Sequence, residues 1–180
     1  NGMSRLGAAV NLVTTDGPAG RHGLTVSAVC SVTDTPPTLL VCINRNAFSH
    51  DAFIENGVIG INVLASSHQE LSRSFARWTG EERFSSQDWI ALISGAPILA
   101  DASVAFDCKI VSREEKGTHS VIFCEVLETS VRDDHCSGLI CRAVGLDQGM
   151  RQIEVQNIHQ FHLHLGKINR LFLPPFPPMV

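Results

Sequence analysis

Small and hydroxyl-bearing side chains recur along residues 22–37, at positions where a core strand would carry bulky ones. β-Branched residues, beginning with Thr25 and Val26, favour a strand in this stretch. Small side chains let a backbone approach its neighbour closely, and hydroxyl groups can orient the polar edge of a ligand. Pro36 and Pro37 lack N–H donors and predict the end of the strand ladder. The pattern predicts either a smooth strand for a flat ligand or a Ser/Thr-rich edge strand.

Three pieces of the chain could together form a site for an anionic cofactor. The first consists of the small residues of the strand: Thr25, Ser27, Ala28 and Ser31. The second is residues 44–49, where a loop with Arg45 leads into a predicted helix whose free N–H groups favour phosphate. The third is the loop pair Arg83 and Phe84, a cation beside an aromatic plane. Each has a simpler alternative, with Ser49 as a helix cap and the Arg-Phe pair as a loop anchor.

Sequence signatures of other chemistries are missing from the chain. It has no GxGxxG after a strand, no GxxxxGK[ST] and no GxSxG. His159, His162 and His164 are closely spaced, but no clustered Asp or Cys completes a metal site, so we predict none and interpret them as part of a solvated tail. His119 follows Gly117 at the start of a predicted strand and faces either a barrel mouth or a hairpin rim.

The six cysteines do not match the spacing of a structural zinc site and form no CxxC. Four lie inside apolar, strand-like runs: Cys30, Cys42, Cys108 and Cys124. We therefore predict buried, reduced thiols that pack as small hydrophobic side chains.

Composition restricts the class of protein. With 180 residues and 44% hydrophobic residues, the chain is long enough for one globular domain with a real core. Its net charge of −4 argues against nucleic acid as the main partner. No apolar run approaches the roughly 20 residues that span a bilayer, and no signal peptide is recognisable. We expect a soluble cytoplasmic protein.

Alternation, turn residues and capping residues predict a mainly β fold with two or three helices. The predicted strands cover residues 8–15, the stretch 22–37 up to its prolines, 38–44, 58–64, 102–113, 119–131 and 139–141, and the helices cover 50–56 and about 67–79. The short connections predict antiparallel pairing. An antiparallel closed β-barrel is the expected architecture, because closure removes the edges of the sheet.

The sequence resembles the flavin reductase family, which has the FMN-binding split-barrel fold. The most specific match is TVSAVCSVTDTPPTLLVCIN at 25–44, supported in order by FA at 75–76, ERF at 82–84 and GTH at 117–119. Within the family, the resemblance is closest to the reductase component of two-component 4-hydroxyphenylacetate 3-monooxygenases. It covers residues 3–141.

The resemblance implies a homodimer with flavin lying across the barrel at the subunit interface. Hydride would pass from NADH or NADPH to FMN or FAD, and the reduced flavin would diffuse to a separate monooxygenase that hydroxylates an aromatic substrate. The alternatives are a flavin-binding protein with little reductase activity and a non-enzymatic dimeric scaffold.

The resemblance also implies a role for individual residues. Thr25, Ser27 and Ala28 would face the isoalloxazine ring, Arg83 and Phe84 would close over it, and His119 would lie beside the nicotinamide. Ser31, Val32 and the loop at 44–49 would hold the ribityl and phosphate groups. The implied cofactor-binding set is Thr25, Val26, Ser27, Ala28, Ser31, Val32, Asn44, Arg45, Asn46, Ser49, Phe75, Arg83 and Phe84.

The resemblance ends at Cys141. Residues 142–180 are Gly-, His- and Pro-biased and lack the terminal strand with aromatic, basic and histidine residues that the family places near the flavin. We therefore predict a reductase-like domain at 1–141 and a poorly ordered tail at 142–180. The loss of that strand would weaken nicotinamide or flavin binding.

Overall fold

The chain folds into antiparallel sheets with two α-helices, as predicted. The computed structural model describes residues 6–77, 79–132, 138–144 and 152–157. The strands are β1 Ala8–Ala9, β2 Asn11–Thr15, β3 His22–Val26, β4 Val29–Asp34, β5 Pro37–Asn44, β6 Val58–Val63, β7 Trp89–Ala91, β8 Pro97–Leu99, β9 Val104–Lys116, β10 His119–Val131, β11 Leu139–Val144 and β12 Gln152–Asn157. The helices are α1 His50–Asn56 and α2 Gln69–Arg77, with 3₁₀ turns at Ser66–His68 and Glu81–Phe84.

The prediction of a closed barrel is wrong. The main sheet has seven strands in the order β3-β2-β6-β9-β10-β5-β4, so β3 and β4 are its two edges and share no ladder among the described residues. The reason is local. β3 and β4 are successive lengths of one stretch interrupted at Ser27 and Ala28, and β4 pairs with β5 while β3 pairs with β2. The chain thus passes from one edge of the sheet to the other within two residues.

Two hydrophobic clusters cover the two faces of the sheet. Side chains alternate along a strand, so Leu12 of β2 joins one cluster and Val13 joins the other. α2 contributes Leu71 and Phe75 to the first cluster, and α1 contributes Phe53 to the second. The central strands are consequently buried on both sides, with one helix on each face.

Helix α1 has the predicted bounds but not the predicted cap. Gly57 follows it with φ 70°, and its N–H donates to the Phe53 carbonyl at 3.1 Å, as expected of a C-terminal glycine. Ser49 precedes the helix without capping it, because its hydroxyl donates to the Gly23 carbonyl at 3.2 Å. This hydroxyl therefore ties the start of α1 to β3.

The C-terminal part of the chain contains two further strands, and the division into a domain at 1–141 and a poorly ordered tail stays a prediction. β11 continues three residues past Cys141, to Val144, and pairs with both β1 and β12. The rest of the predicted tail, at 145–151 and 158–180, lies outside the described residues, and so do the three clustered histidines. None of the helices in the described ranges is both long and apolar enough to cross a membrane.

Gly60→Ala should destabilise the fold where β6 meets β2 and β8. A Cβ at Gly60 would lie 2.6 Å from Thr14 Oγ1 and 2.8 Å from the Pro97 carbonyl oxygen, which belongs to the backbone and cannot rotate away. We expect a loss of about 2 kcal/mol in the free energy of unfolding, measured by urea denaturation.

Gly138→Ala is the matched control, since a Cβ there would meet nothing within 4 Å. It should change the free energy of unfolding by about 0.5 kcal/mol or less. Equal effects of the two substitutions would contradict the packing described around Gly60.

Candidate functional site

Gly23 is the point at which β3 touches the elements on both of its sides. A Cβ at this position would lie 2.9 Å from Phe75 Cε1 and 3.0 Å from the Val13 carbonyl oxygen. The Gly23 carbonyl also accepts the hydroxyl hydrogen of Ser49. Glycine therefore lets α2 approach β3 closely while the loop before α1 binds the same residue.

Strand β3 ends at Val26, and the two residues between it and β4, Ser27 and Ala28, form a break that is exposed to solvent. The Thr25 hydroxyl donates to the Ser72 carbonyl at 2.7 Å, which fixes β3 against α2, and the side chain of Val26 is buried in the core. Ser27 and Ala28 are both exposed, and the Ala28 carbonyl accepts the Cys42 N–H at 3.0 Å. The break therefore presents small side chains and backbone to solvent beside β5.

Strand β4 continues from the break along the exposed edge of the sheet. Ser31 and Val32 are exposed, Val32 to 47%. Cys30 is exposed as well, so the prediction that it is buried is wrong. The reason is that β4 pairs with β5 alone, which leaves its other edge and much of its surface uncovered.

The loop at 44–49 is attached to the start of β10. Asn44 is the cross-strand partner of His119, and the Arg45 N–H donates to the Thr118 carbonyl at 2.9 Å. The Asn46 N–H donates to the Asn44 side-chain oxygen at 2.9 Å, which closes the turn. Arg45 Nη1 lies 2.6 Å from Glu115 Oε2 in an exposed ion pair.

His119 lies at the sheet rim, half-buried, with Nδ1 2.9 Å from the Thr118 hydroxyl oxygen. His119 is the first residue of β10 and lies opposite Asn44, the last residue of β5. It is therefore next to the loop at 44–49, which we predicted to bind the flavin phosphate. The structure thus brings His119, Asn44 and Arg45 together.

Phe75, Arg83 and Phe84 form a second group. The rings of Phe75 and Phe84 meet edge to face with centroids 4.9 Å apart, and the Arg83 guanidinium carbon lies 4.7 Å from the Phe75 centroid. Burial lowers the pKa of the Arg83 guanidinium, and the Glu82 carboxylate opposes this shift. Arg21, at the start of β3, lies 5.6 Å above the Phe84 ring.

β3 connects the two groups, through Gly23 to Phe75 on one side and through Gly23 to Ser49 on the other. Ser31 and Val32 are separate from both groups and lie on the β4 edge.

The sequence analysis did not predict two residues that the structure places near these groups, Arg21 and the buried His50. The only sequence signals for them were a cation next to the start of a strand and a His-Asp pair at the start of a helix. The described ranges contain no group of three potential metal ligands.

Comparison with known proteins identifies the family. A family model described as a flavin reductase-like domain matches residues 3–144. The chain belongs to this family. An FMN reductase (NADH) RutF of Pantoea ananatis is 56% identical over 140 residues, covering 77% of this chain and 73% of the relative.

Solved structures agree with the family. A candidate flavin reductase of Haemophilus somnus has 44% sequence identity and a TM-score of 0.75, covering 78% of this chain and 90% of that one. BorF, the flavin reductase component of a bacterial two-component tryptophan halogenase, has 27% identity and a TM-score of 0.70, covering 77% and 88%.

These relatives confirm the prediction of an NAD(P)H-dependent flavin reductase that uses flavin and a nicotinamide. The narrower resemblance to the reductase of a 4-hydroxyphenylacetate hydroxylase stays a prediction.

Cys30 should react with iodoacetamide before the other three thiols that the structure describes. Burial raises the pKa of Cys124 to about 12 and also raises the pKa of Cys108 and Cys42, so these thiols stay protonated near pH 8. Peptide mass spectrometry should find Cys30 modified first and Cys124 modified only after urea unfolding. Equal rates at Cys30 and Cys124 in the folded protein would contradict the described burial.

Proposed function

We propose that this chain transfers hydride from NADH to FMN or FAD and releases the reduced flavin to a separate monooxygenase. The observation that carries the proposal is the exposed break at Ser27 and Ala28, where the side chains are small. The loop at 44–49 is connected to this break by two strands, β3 and β5. In a member of the flavin reductase-like family, this break fits the floor of a flavin site.

The residues at the break fit a flat, polar-edged ring system. Ser27 and Ala28 are exposed and place no bulky side chain over their backbone, so a flat ring could approach that backbone closely. Thr25 and Val26 would support the ring from below, since Thr25 is anchored to α2 and Val26 to the core. Phe75, Arg83 and Phe84 would form the wall on the α2 side.

The loop at 44–49, with Ser31 and Val32 on β4, would hold the ribityl and phosphate groups. Arg45 supplies the cation and Asn46 lies at the turn. The Arg45–Glu115 pair is exposed on both sides, and such pairs contribute only about 0–1 kcal/mol. A flavin phosphate can therefore replace Glu115 at Arg45 with little loss.

The bound flavin and nicotinamide supply the hydride chemistry itself. The chain's task is to hold two flat rings about 3–3.5 Å apart and to place N–H groups where negative charge develops on the flavin. No side chain needs to act as a general acid. His119 would position the nicotinamide rather than move a proton.

The proposed partners are a second copy of this chain and a monooxygenase that hydroxylates an aromatic substrate. The outer edge of β4 is exposed and has no strand beside it among the described residues, and such an edge is suited to association. BorF serves a two-component enzyme, which supports a separate oxygenase here. Nicotinamide and free flavin are cytoplasmic metabolites, so the proposal places the reaction in the cytoplasm.

The direct test mixes the purified chain with NADH or NADPH and with FMN or FAD, and follows the nicotinamide absorbance. The proposal expects loss of absorbance only when flavin is added. Retention of flavin without turnover would instead identify a flavin-binding protein. A chain that neither binds nor reduces flavin would be a scaffold, and the proposal would fail.

His119→Ala should raise the KM for NADH about tenfold, equivalent to about 1.4 kcal/mol, while the KM for FMN stays unchanged. The reason is that the imidazole is proposed to contact the nicotinamide and not the flavin. Lys116→Ala is the control, because Lys116 is exposed and is the cross-strand neighbour of His119. Wild-type values of both kcat and the NADH KM in His119→Ala would show that the assigned role is wrong.

A further inference from the structure

His50 is a buried histidine whose ring is hydrogen-bonded on both sides. It is the first residue of α1 and is 8% exposed. Its Nε2 lies 2.9 Å from the hydroxyl oxygen of Ser120, and its Nδ1 lies 2.7 Å from a carboxylate oxygen of Asp51. Ser120 is 1% exposed and directly follows His119 in β10. The ring therefore joins the end of the loop at 44–49 to the strand that carries His119.

The partners of the ring determine where its proton lies in the neutral form. A carboxylate only accepts hydrogen bonds, so Nδ1 carries the hydrogen and donates it to Asp51. Nε2 then accepts the hydroxyl hydrogen of Ser120. The Asp51 side chain is 98% exposed, so water competes for its bond, whereas the bond to Ser120 is buried. The buried bond is the one that fixes the ring.

A serine, a histidine and an aspartate in this order also suggest nucleophilic catalysis, but the burial of Ser120 excludes it. A nucleophilic hydroxyl must contact the substrate, and the Ser120 side chain lies inside the sheet. His50 is itself buried, and its hydrogen bonds go to Ser120 and Asp51. It can act on a reaction at the surface only through the elements that it holds.

We propose that His50, through Ser120, is a positioning residue that fixes the loop at 44–49 relative to His119. This inference rests on the proposed flavin reductase function. The start of the loop is held by backbone bonds, from Asn44 and Arg45 to the start of β10. Its end is held by two side chains, with Ser49 bound to β3 and His50 bound to β10. Removal of the His50 bond leaves the Ser49 hydroxyl as the side-chain hydrogen bond, of these two, that ties this end of the loop to the sheet.

The consequence is a shared effect on both substrates. The loop is proposed to hold the flavin phosphate, and His119 the nicotinamide, so a change in their relative position affects the binding of both. A residue that acted on one substrate alone would change one KM. We therefore expect His50→Phe, which keeps a ring but removes both bonds, to raise the KM for FMN and the KM for NADH about fivefold each.

A double-mutant cycle tests whether His50 acts through Ser120. Ser120→Ala should reproduce the fivefold increases, and the double variant should be no worse than either single one, because all three lack the same bond. Ser120→Thr keeps the hydroxyl and should restore both KM values to near the wild type. Since Ser120→Ala and Ser120→Thr differ in that bond, their comparison also decides the matter if His50→Phe does not fold.

His68→Phe is the matched control for loss of a buried histidine. His68 is 4% exposed, its Nδ1 accepts the Ala65 N–H at 3.0 Å, and its Nε2 lies 3.0 Å from Asp101 Oδ2. It has no contact with the loop or with β10 among the described hydrogen bonds. We expect both histidine variants to lower the thermal midpoint, and His68→Phe to leave both KM values at the wild-type level.

Wild-type KM values in folded His50→Phe and Ser120→Ala, with an active parent chain, would overturn this inference and leave the proposed function standing. Additive effects in the double variant would also overturn it, because His50 would then act independently of Ser120. A wild-type chain that does not oxidise NADH in the presence of flavin would overturn the proposed function and this inference together.

Discussion

The close approach of α2 to β3 at Gly23 is the constraint on which the candidate site depends. No side chain separates the Phe75 ring from the β3 backbone, since even a Cβ would lie 2.9 Å from that ring. The same residue offers its carbonyl to Ser49. One backbone position thereby fixes the distance between the aromatic group on one side of β3 and the loop at 44–49 on the other.

The position of the break at Ser27 and Ala28 follows from the sheet being open, with β3 and β4 at its two edges. The chain leaves β3 at Ser27, crosses to the opposite sheet edge at Ala28, and continues as β4. The Ala28 carbonyl at this crossing is bonded to the Cys42 N–H of β5, while the small side chains of Ser27 and Ala28 leave the backbone open to the approach of a ligand. The hydrophobic clusters on the two faces of β2 keep the supporting strands rigid, while the ligand-facing residues remain at the surface.

Local signals in the sequence predicted the elements well, and long-range geometry less well. The bounds of α1 were predicted correctly from capping residues, although Ser49 itself does not cap the helix, because helix ends depend on a few neighbouring residues. The interruption at Ser27 and Ala28 was missed, since small residues are compatible with both a continuous strand and a break. Closure of the sheet was predicted wrongly because it depends on the pairing of β3 with β4, which alternation within each strand does not determine.

The candidate site shows the same division. Two sets of contacts join segments that were predicted separately from the sequence. Asn44 and Arg45 contact the start of β10, and Phe75 contacts Phe84. The roles of Gly23 as a shared contact and of His50 as a buried link could not be predicted, because both depend on partners more than 25 residues away in the chain. Sequence spacing carries no information on such pairs.

A crystal structure of this chain with FMN tests the central claim most directly. The account predicts the isoalloxazine ring in van der Waals contact with the backbone at Ser27 and Ala28, with the phosphate bound by the loop at 44–49. A flavin bound elsewhere on the protein, with the break at Ser27 and Ala28 still open to solvent, would contradict it.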